Sequence, residues 1–351
     1  MSALAIGGVG FLALCALILL QVPIGFAMLG VGLVGYALQA GWSPALTLLA
    51  SETSGLLASV DLATVPLFLL MGTFASAAGF SRDIYRAAAA WFGHRRGGLA
   101  YATMGGCAAF GAVCGSSTAT AATFAKAALP EMLRRGYSPA FSTGTIAAGG
   151  TLKALIPPSI VMILYCVVTK TFIFDLFYAA IVPALLALLL NLLAIALVVR
   201  LKPELAPLSD PVASAEKWLA LRDAAPVLVL MLAVFLGLYS GVFTVNEAAS
   251  VAAVLALLFA LLRGRLDWPS VWLGLRETAS ATAMIYTIII GASVFSYFVT
   301  LARVPEALVA VIDALPISKN KGTVAKSTLA SRPEVSLASK VNAGDQPACK
   351  A

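Results

Sequence analysis

Long apolar runs are the feature that most restricts what this chain can fold into. The runs "ALLALLLNLLAIALVV" at 184–199 and "VLVLMLAVFLGLYSGVF" at 227–243 approach the roughly 20 apolar residues that cross a bilayer as one helix. Of the 351 residues, 61% are hydrophobic and 11% are charged, whereas about 25% of a soluble domain is charged. The sequence therefore predicts an all-α polytopic membrane protein.

The apolar segments divide the chain into predicted helices and loops. They lie at 4–40, which Pro23 interrupts, and at 62–79, 98–128, 140–166, 171–200, 224–243, 246–262, 276–300 and 304–317. Segment 4–40 is compatible with one long tilted helix or with two short spans. Because it lacks a basic n-region and a small-residue cleavage site, we expect a retained membrane segment rather than a cleaved signal.

The basic loops indicate how these segments cross the membrane. Cytoplasmic loops carry an excess of Lys and Arg, and loops 81–98 and 131–138 are both basic although only segment 98–128 separates them. Both loops lie on one side only if that segment enters and leaves the membrane on the same side, as a re-entrant hairpin. The basic loops that follow residues 200 and 263 then fall on that side too.

Two segments combine hydroxyl groups with residues that break helices. The first, "CGSSTAT" at 114–120, lies at the predicted tip of the hairpin. The second, "GGTLKALIPPS" at 149–159, has two glycines that loosen a helix and two prolines that break it. Because proline lacks an N–H, carbonyls just upstream of it lose their partners. Irregular backbone at membrane depth is tolerated where it is buried in protein or lines a cavity, and transporters use it to hold Na⁺.

An ion and substrate site is one interpretation of these segments, because neutral hydroxyl and carbonyl oxygens suit Na⁺. The alternative is that the small residues let helices pack closely, with each hydroxyl bonded to its own helix. Two clusters, each beside a predicted break, favour the site. Its candidate residues are Gly115, Ser116, Ser117, Thr118, Thr120, Gly149, Gly150, Thr151, Pro157, Pro158 and Ser159. The Na⁺ candidates among them are Ser116, Ser117, Thr120 and Thr151.

These segments also carry a family resemblance. "CGSSTATAATFAKAALPEM" followed by "GTIAAGGTLKALIPPSIVMILY" resembles the large permease subunit of TRAP transporters, the DctM type, and the resemblance covers about residues 4–317. It implies an elevator-type fold, like that of ion transporters, with inverted repeats, a re-entrant hairpin and broken helices. It also implies a non-enzymatic symporter that uses a Na⁺ gradient to import a small organic acid such as a C4-dicarboxylate, a keto acid or a sugar acid.

The partners and the location follow from the same resemblance. It implies a small four-helix membrane subunit, a periplasmic substrate-binding protein, a multi-pass position in the bilayer of the bacterial inner membrane, and no cofactor besides the coupling Na⁺. The implied divisions are N-terminal scaffold spans at 1–80, the hairpin with basic flanks at 81–138, a broken helix and following span at 139–200, the start of a second repeat at 201–317, and a polar tail at 318–351.

Lys153 departs from the family pattern, which reads GGTLG-x-LIPPS with glycine at this position. A lysine inside a membrane segment is costly and indicates a functional site. We hypothesise that its ammonium lies close enough to the ion site to weaken or replace bound Na⁺. The alternative is that Lys153 snorkels to a polar boundary or pairs with a carboxylate.

The last 34 residues form a second departure. Residues 318–351 contain no aromatic residue and no apolar periodicity, which predicts a disordered segment. A truncation or frameshift would explain them, as would a basic tail that rests on anionic lipid. The resemblance implies that a second hairpin and broken helix should follow, so the second repeat is expected to be incomplete. The alternative function is a non-transporting truncated remnant or scaffold that only binds the small subunit.

Other function classes find little support in the sequence. His94 is the single histidine, so neither a Ser/His/Asp triad nor a zinc site can be assembled convincingly. The sequence contains no G-x-x-x-x-G-K-[ST] loop for ATP-driven pumping. The net charge of +7 is spread over loops and the C-terminus, so membrane topology explains it better than nucleic-acid binding.

Overall fold

The computed structural model describes residues 3–114, 117–208, 213–264, 266–307 and 309, which are helical apart from short connections. The helices are α1 (Ala3–Leu19), α2 (Ile24–Ala40), α3 (Trp42–Leu57), α4 (Val60–Ala77), α5 (Phe80–Phe92), α6 (Gly98–Val113), α7 (Ser117–Ala127), α8 (Leu129–Arg134), α9 (Pro139–Leu152), α10 (Ile160–Thr169), α11 (Ile173–Leu201), α12 (Ser214–Tyr239), α13 (Val245–Leu262) and α14 (Trp268–Leu301). Within these residues α4, α11, α12, α13 and α14 are long and apolar enough to cross a membrane. The prediction of an all-α polytopic membrane protein is confirmed.

The described residues form two compact units. Residues up to 49 and residues from 294 onwards make the first unit, and residues 50–293 make the second. Every candidate site residue that the structure describes belongs to the second unit. Gly115, Ser116 and the tail at 318–351 lie outside the described residues.

The first unit packs around the buried ring of Phe298. Gly10 of α1 and Gly35 of α2 both lie against this ring, because a Cβ on either glycine would come within 2.6 and 2.5 Å, respectively, of a ring carbon. Segment 4–40, for which the sequence allowed two arrangements, forms two separate helices, α1 and α2, on either side of residues 20–23. Pro23 lies immediately before α2, where a missing N–H costs no helical hydrogen bond.

A tightly packed pair of helices, α4 and α13, forms part of the core of the second unit. The face of α13 that is buried consists of six alanines: Ala248, Ala249, Ala252, Ala253, Ala256 and Ala260. Small residues let helix backbones approach closely in membranes, where packing rather than water exclusion drives association. At one end of the pair, Asn246 Nδ2 donates to the Val60 carbonyl at 3.0 Å, and the Thr64 hydroxyl donates to Asn246 Oδ1.

Arg263 holds the other end of this helix pair. Its guanidinium donates to the Asp83 carboxylate, to the Ala78 carbonyl at 3.2 Å and to the Asp223 carbonyl. The guanidinium also lies 5.2 Å from the centroid of the Phe80 ring. The Asp83 side chain is only 5% exposed. One arginine therefore joins the end of α13 to the end of α4, to α5 and to α12.

The sequence interpretation missed three helices and began two others too late. Residues 81–98, which were predicted to be a loop, contain the amphipathic helix α5, with Ile84 and Tyr85 buried and Arg82 and Arg86 exposed. Helices α3 and α8 were also missed, and α12 and α14 start ten and eight residues before their predicted starts. Charged and polar residues lower the mean hydropathy of these stretches without breaking the helix, so an apolar-run criterion does not detect them.

The four basic loops meet at one end of the second unit. Arg86 lies 3.8 Å from the Asp223 carboxylate, and the Ser138 N–H donates to the Leu205 carbonyl at 3.0 Å. Arg263 adds its contact with Asp83. In the described part of the chain, none of these four basic loops lines the cavity of about 590 Å³ that is formed by the turns at 59–61, 166–174 and 241–246. Residues 98–127 therefore begin and end beside the same cluster of basic loops.

Candidate functional site

Two short helices, α6 and α7, form the arms of the predicted hairpin. They contain 16 and 11 residues and are about 24 and 17 Å long, which is less than the roughly 30 Å thickness of the hydrocarbon core. The fully buried Phe124 of α7 lies against α6, with its ring centroid 6.0 Å from that of Phe110. A Cβ added at Gly106 would lie 2.8 Å from the Phe124 ring. The two arms therefore lie side by side.

The hydroxyl groups after the hairpin tip differ in their surroundings. Ser117 is half-buried and begins α7, and Thr118, one residue later, is exposed. Thr120 is completely buried. Ser116 lies outside the described residues, so Ser117 and Thr120 are the candidate hydroxyls at the tip that the structure shows to be at least half-buried.

The two predicted segments lie against each other, and glycines make this contact possible. A Cβ on Gly149 would lie 2.8 Å from Cys107 Cβ of α6, and a Cβ on Gly150 would lie 2.7 Å from Ala121 Cβ of α7. On the hairpin side, a Cβ on Gly111 would lie 3.3 Å from Lys153 Cβ. Helix α9 therefore contacts both arms of the hairpin at the positions where neither partner has room for a larger side chain.

The helix is broken between Leu152, the last residue of α9, and Ile160, the first residue of α10. Two side chains close the intervening loop across the break. The Ser159 hydroxyl donates to the Ala154 carbonyl at 3.0 Å, and Lys153 Nζ donates to the Pro158 carbonyl at 2.5 Å. Each hydrogen bond joins residues that are five positions apart. The amine donates to a residue later in the loop, and the hydroxyl donates to a residue earlier in the loop, so the two bonds hold the loop closed.

The environment of Lys153 decides between the interpretations of its side chain. The residue is 2% exposed, so it does not snorkel to a polar boundary. It forms no ion pair with a carboxylate in the part of the chain that the structure describes. Within the described residues, Lys153 is therefore neither at a polar boundary nor paired with a carboxylate. Its donor bond to Pro158 places it instead on the carbonyl that closes the helix break.

Protein hydrogen bonds involve several of the polar groups at the break. The Thr151 hydroxyl is exposed and donates to the Ala148 carbonyl at 2.8 Å. The Ser159 hydroxyl donates across the loop, and the Pro158 carbonyl accepts from Lys153. A metal ion would have to compete with a covalently attached ammonium for the Pro158 oxygen. The other Na⁺ candidates that the structure describes, Ser117 and Thr120, lie on α7.

A cavity beside the hairpin tip adds a residue that the sequence interpretation missed. It has a volume of about 440 Å³ and is lined by α4, by Cys114 and Ala119 of the hairpin and by the first half of α14. Thr278 lines this cavity, is 5% exposed, and has a hydroxyl without a hydrogen-bond partner within the described structure. The signal in the sequence was "ETASAT" at 277–282, where Thr278 and Thr282 are four residues apart and share one helix face.

Comparison with known proteins identifies the family of the chain. The sequence profile of the family "Tripartite ATP-independent periplasmic transporter, DctM component" matches residues 11–326. The C4-dicarboxylate TRAP transporter large permease protein DctM of Pseudomonas aeruginosa is 38% identical over 262 residues, which cover 73% of this chain and 60% of that protein. Its namesake in Rhodobacter capsulatus is 32% identical over 88% of this chain and 72% of its own length.

A third relative carries a different substrate in its name. The ectoine TRAP transporter large permease protein TeaC of Halomonas elongata is 29% identical over 297 residues, which cover 83% of this chain and 68% of that protein. The match to the family profile extends over the hairpin, the broken helix and the helices that follow them. The chain belongs to the family of DctM components of tripartite ATP-independent periplasmic transporters.

Proposed function

We propose that this chain is the large membrane subunit of a TRAP-type secondary transporter that imports a small organic acid by symport with Na⁺. The observation that carries the proposal is the contact of two short hairpin arms with the broken helix α9–α10, made at Gly149 and Gly150. Short helix ends and unwound backbone within a bilayer are the elements that secondary transporters use to bind solutes and ions. A small membrane subunit and a periplasmic binding protein are the proposed partners, in the bacterial inner membrane.

A carboxylate is the proposed recognition group on the substrate. C4-dicarboxylates and ectoine, after which the relatives are named, both carry one. Helix α7 begins at Ser117 beside the cavity of about 440 Å³, and the N-terminus of a helix favours an anion. The unpartnered hydroxyl of Thr278 in the same cavity would gain a hydrogen bond from such a ligand.

The hairpin hydroxyls are the proposed contacts for the coupling ion. Ser117 and Thr120 carry hydroxyl oxygens on α7, and neutral oxygens of this kind suit a hard cation such as Na⁺. Thr120 is buried against the rest of the second unit. An ion bound there would lie on the hairpin arm whose residue Ala119 lines the cavity, so its binding could be linked to that of the substrate.

Uptake by a reconstituted complex tests this proposal. We expect proteoliposomes that contain the full chain, its small subunit and its binding protein to accumulate a labelled C4-dicarboxylate when Na⁺ is higher outside, and to stop when choline replaces Na⁺. Thr120→Val removes the buried hydroxyl at constant shape and should reduce uptake about tenfold, the effect of about 1.4 kcal/mol. The matched control is Thr143→Val, whose exposed hydroxyl only donates within α9.

Two results would contradict the proposal. Uptake that is the same in Na⁺ and in choline would remove Na⁺ as the coupling ion. Tight binding of the small subunit without any uptake would favour a scaffold that only binds that subunit.

A further inference from the structure

We infer that the ammonium of Lys153 is a built-in cation that takes the place of Na⁺ at the break between α9 and α10. The inference starts from the place of its nitrogen. Nζ lies 2.5 Å from the Pro158 carbonyl oxygen, and carbonyls at unwound positions of transporter helices are the groups that coordinate Na⁺. The lysine thus makes at this break the contact that a metal ion would otherwise make.

The dipole of α9 favours a positive charge at this place. Lys153 follows directly after the last residue of α9, and the C-terminal end of a helix carries the negative end of its dipole. The stem of Lys153 also packs against Gly111 of α6, three residues before Cys114 at the end of that helix. A cation held here therefore lies between the end of α9, the loop before α10 and the last turn of α6.

The packing around the aliphatic part of the Lys153 side chain indicates that this position accommodates a lysine. The side chain leaves α9 across Gly111 of α6, where a Cβ would lie 3.3 Å from Lys153 Cβ and 3.5 Å from its Cδ. A side chain on α6 at this point would therefore crowd the aliphatic stem. On the far side of the loop, the Ser159 hydroxyl bonds to Ala154 at 3.0 Å, which holds Pro158 within reach of the amine.

This inference adds to the proposed function and rests on it in part. A tethered cation cannot leave, so this break contributes a fixed charge rather than an exchanging ion. Any Na⁺ that drives transport then binds elsewhere in the assembled transporter. Removing the amine while leaving the space should convert the break into a Na⁺ site.

The experiment measures alkylation of Cys114 in the purified full chain in lipid nanodiscs, followed by mass spectrometry of the Cys114 peptide. Rates are compared in NaCl and in choline chloride at equal ionic strength. For the native chain and for Lys153→Arg, we expect the same rate in both salts. For Lys153→Gly, we expect Na⁺ to slow alkylation about tenfold when its concentration is ten times the dissociation constant. No uptake is measured, so the outcome is independent of whether the chain transports.

Two further variants separate charge from shape. Lys153→Met keeps the stem, leaves no room for an ion and should show no response to Na⁺. Lys126→Met removes an exposed lysine from the last turn of α7 and should behave like the native chain. Slower alkylation of the native chain in Na⁺ would overturn the inference. So would a folded Lys153→Gly chain that does not respond to Na⁺. If Lys153→Gly does not fold, the native chain and Lys153→Arg provide the test. Alkylation of Cys114 that depends on Na⁺ in either chain would overturn the inference. Equal alkylation rates in NaCl and in choline chloride would support it.

Discussion

Replacing Arg263 with methionine is expected to lower the free energy of unfolding of the second unit by about 3–5 kcal/mol, the cost of leaving a buried charge without its partner. The Asp83 carboxylate is 5% exposed, and Arg263 is the cation that contacts it. The same guanidinium donates to the Ala78 and Asp223 carbonyls, and methionine removes those two hydrogen bonds as well. Thermal unfolding of the purified chain in nanodiscs measures the loss.

Two further variants identify the cause of this loss. Arg96→Met removes an exposed arginine from the same end of the unit and should change the stability by at most about 0.5 kcal/mol. Adding Asp83→Leu to Arg263→Met should restore part of the stability, because the double variant no longer buries an uncompensated charge. Equal small losses for Arg263→Met and Arg96→Met would show that Arg263 does not fasten these helices.

Gly150→Ala should destabilise the contact between the broken helix and the hairpin. The added methyl group would lie 2.7 Å from Ala121 Cβ and 3.3 Å from Ala121 Cα. Since the second of these atoms belongs to the backbone, the α7 arm would have to move away from α9. Overpacking of this kind costs about 1–3 kcal/mol, and thermal unfolding in nanodiscs measures it.

A second glycine of the same helix provides a control variant that should change the stability in the opposite direction. Gly144 lies on α9, and a Cβ built there meets no atom within 4 Å. Gly144→Ala should therefore stabilise the chain by about 0.5–1 kcal/mol, because alanine loses less conformational entropy than glycine in a helix. If both alanine variants shifted the unfolding temperature in the same direction, the close approach of α9 to α7 would be contradicted.

The helices that face lipid are the part of the fold that the sequence predicts best. A bilayer requires a continuous apolar run, and segments 171–200 and 246–262 agree with α11 and α13 to within two residues at either end. Helix α5 was missed because its charged residues lower the hydropathy of the stretch, and one of these charges has a partner that is distant along the chain. Asp83 is separated from Arg263 by 180 residues, and no local pattern reveals that the two charges meet.

Some features of the candidate site follow from the local sequence, and others depend on contacts between residues that only the fold brings together. Glycines and prolines at 149–159 predict a break, and α9 and α10 are separated there. That Lys153 is buried and donates to Pro158 depends on how the loop closes, which spacing alone does not determine. Thr278 was missed because its place in the cavity depends on α14 lying beside α4 and the hairpin.

Labelling of single cysteines in intact cells tests the central claim most directly, namely that residues 98–127 enter and leave the membrane on the same side. Arg95→Cys, Arg134→Cys and Lys170→Cys each place an exposed thiol in a background without the five native cysteines. A membrane-impermeant thiol reagent added outside should label position 170 and neither position 95 nor position 134. Labelling of only one of the two flanking positions would show that the segment crosses the membrane, which would contradict the hairpin and the site built on it.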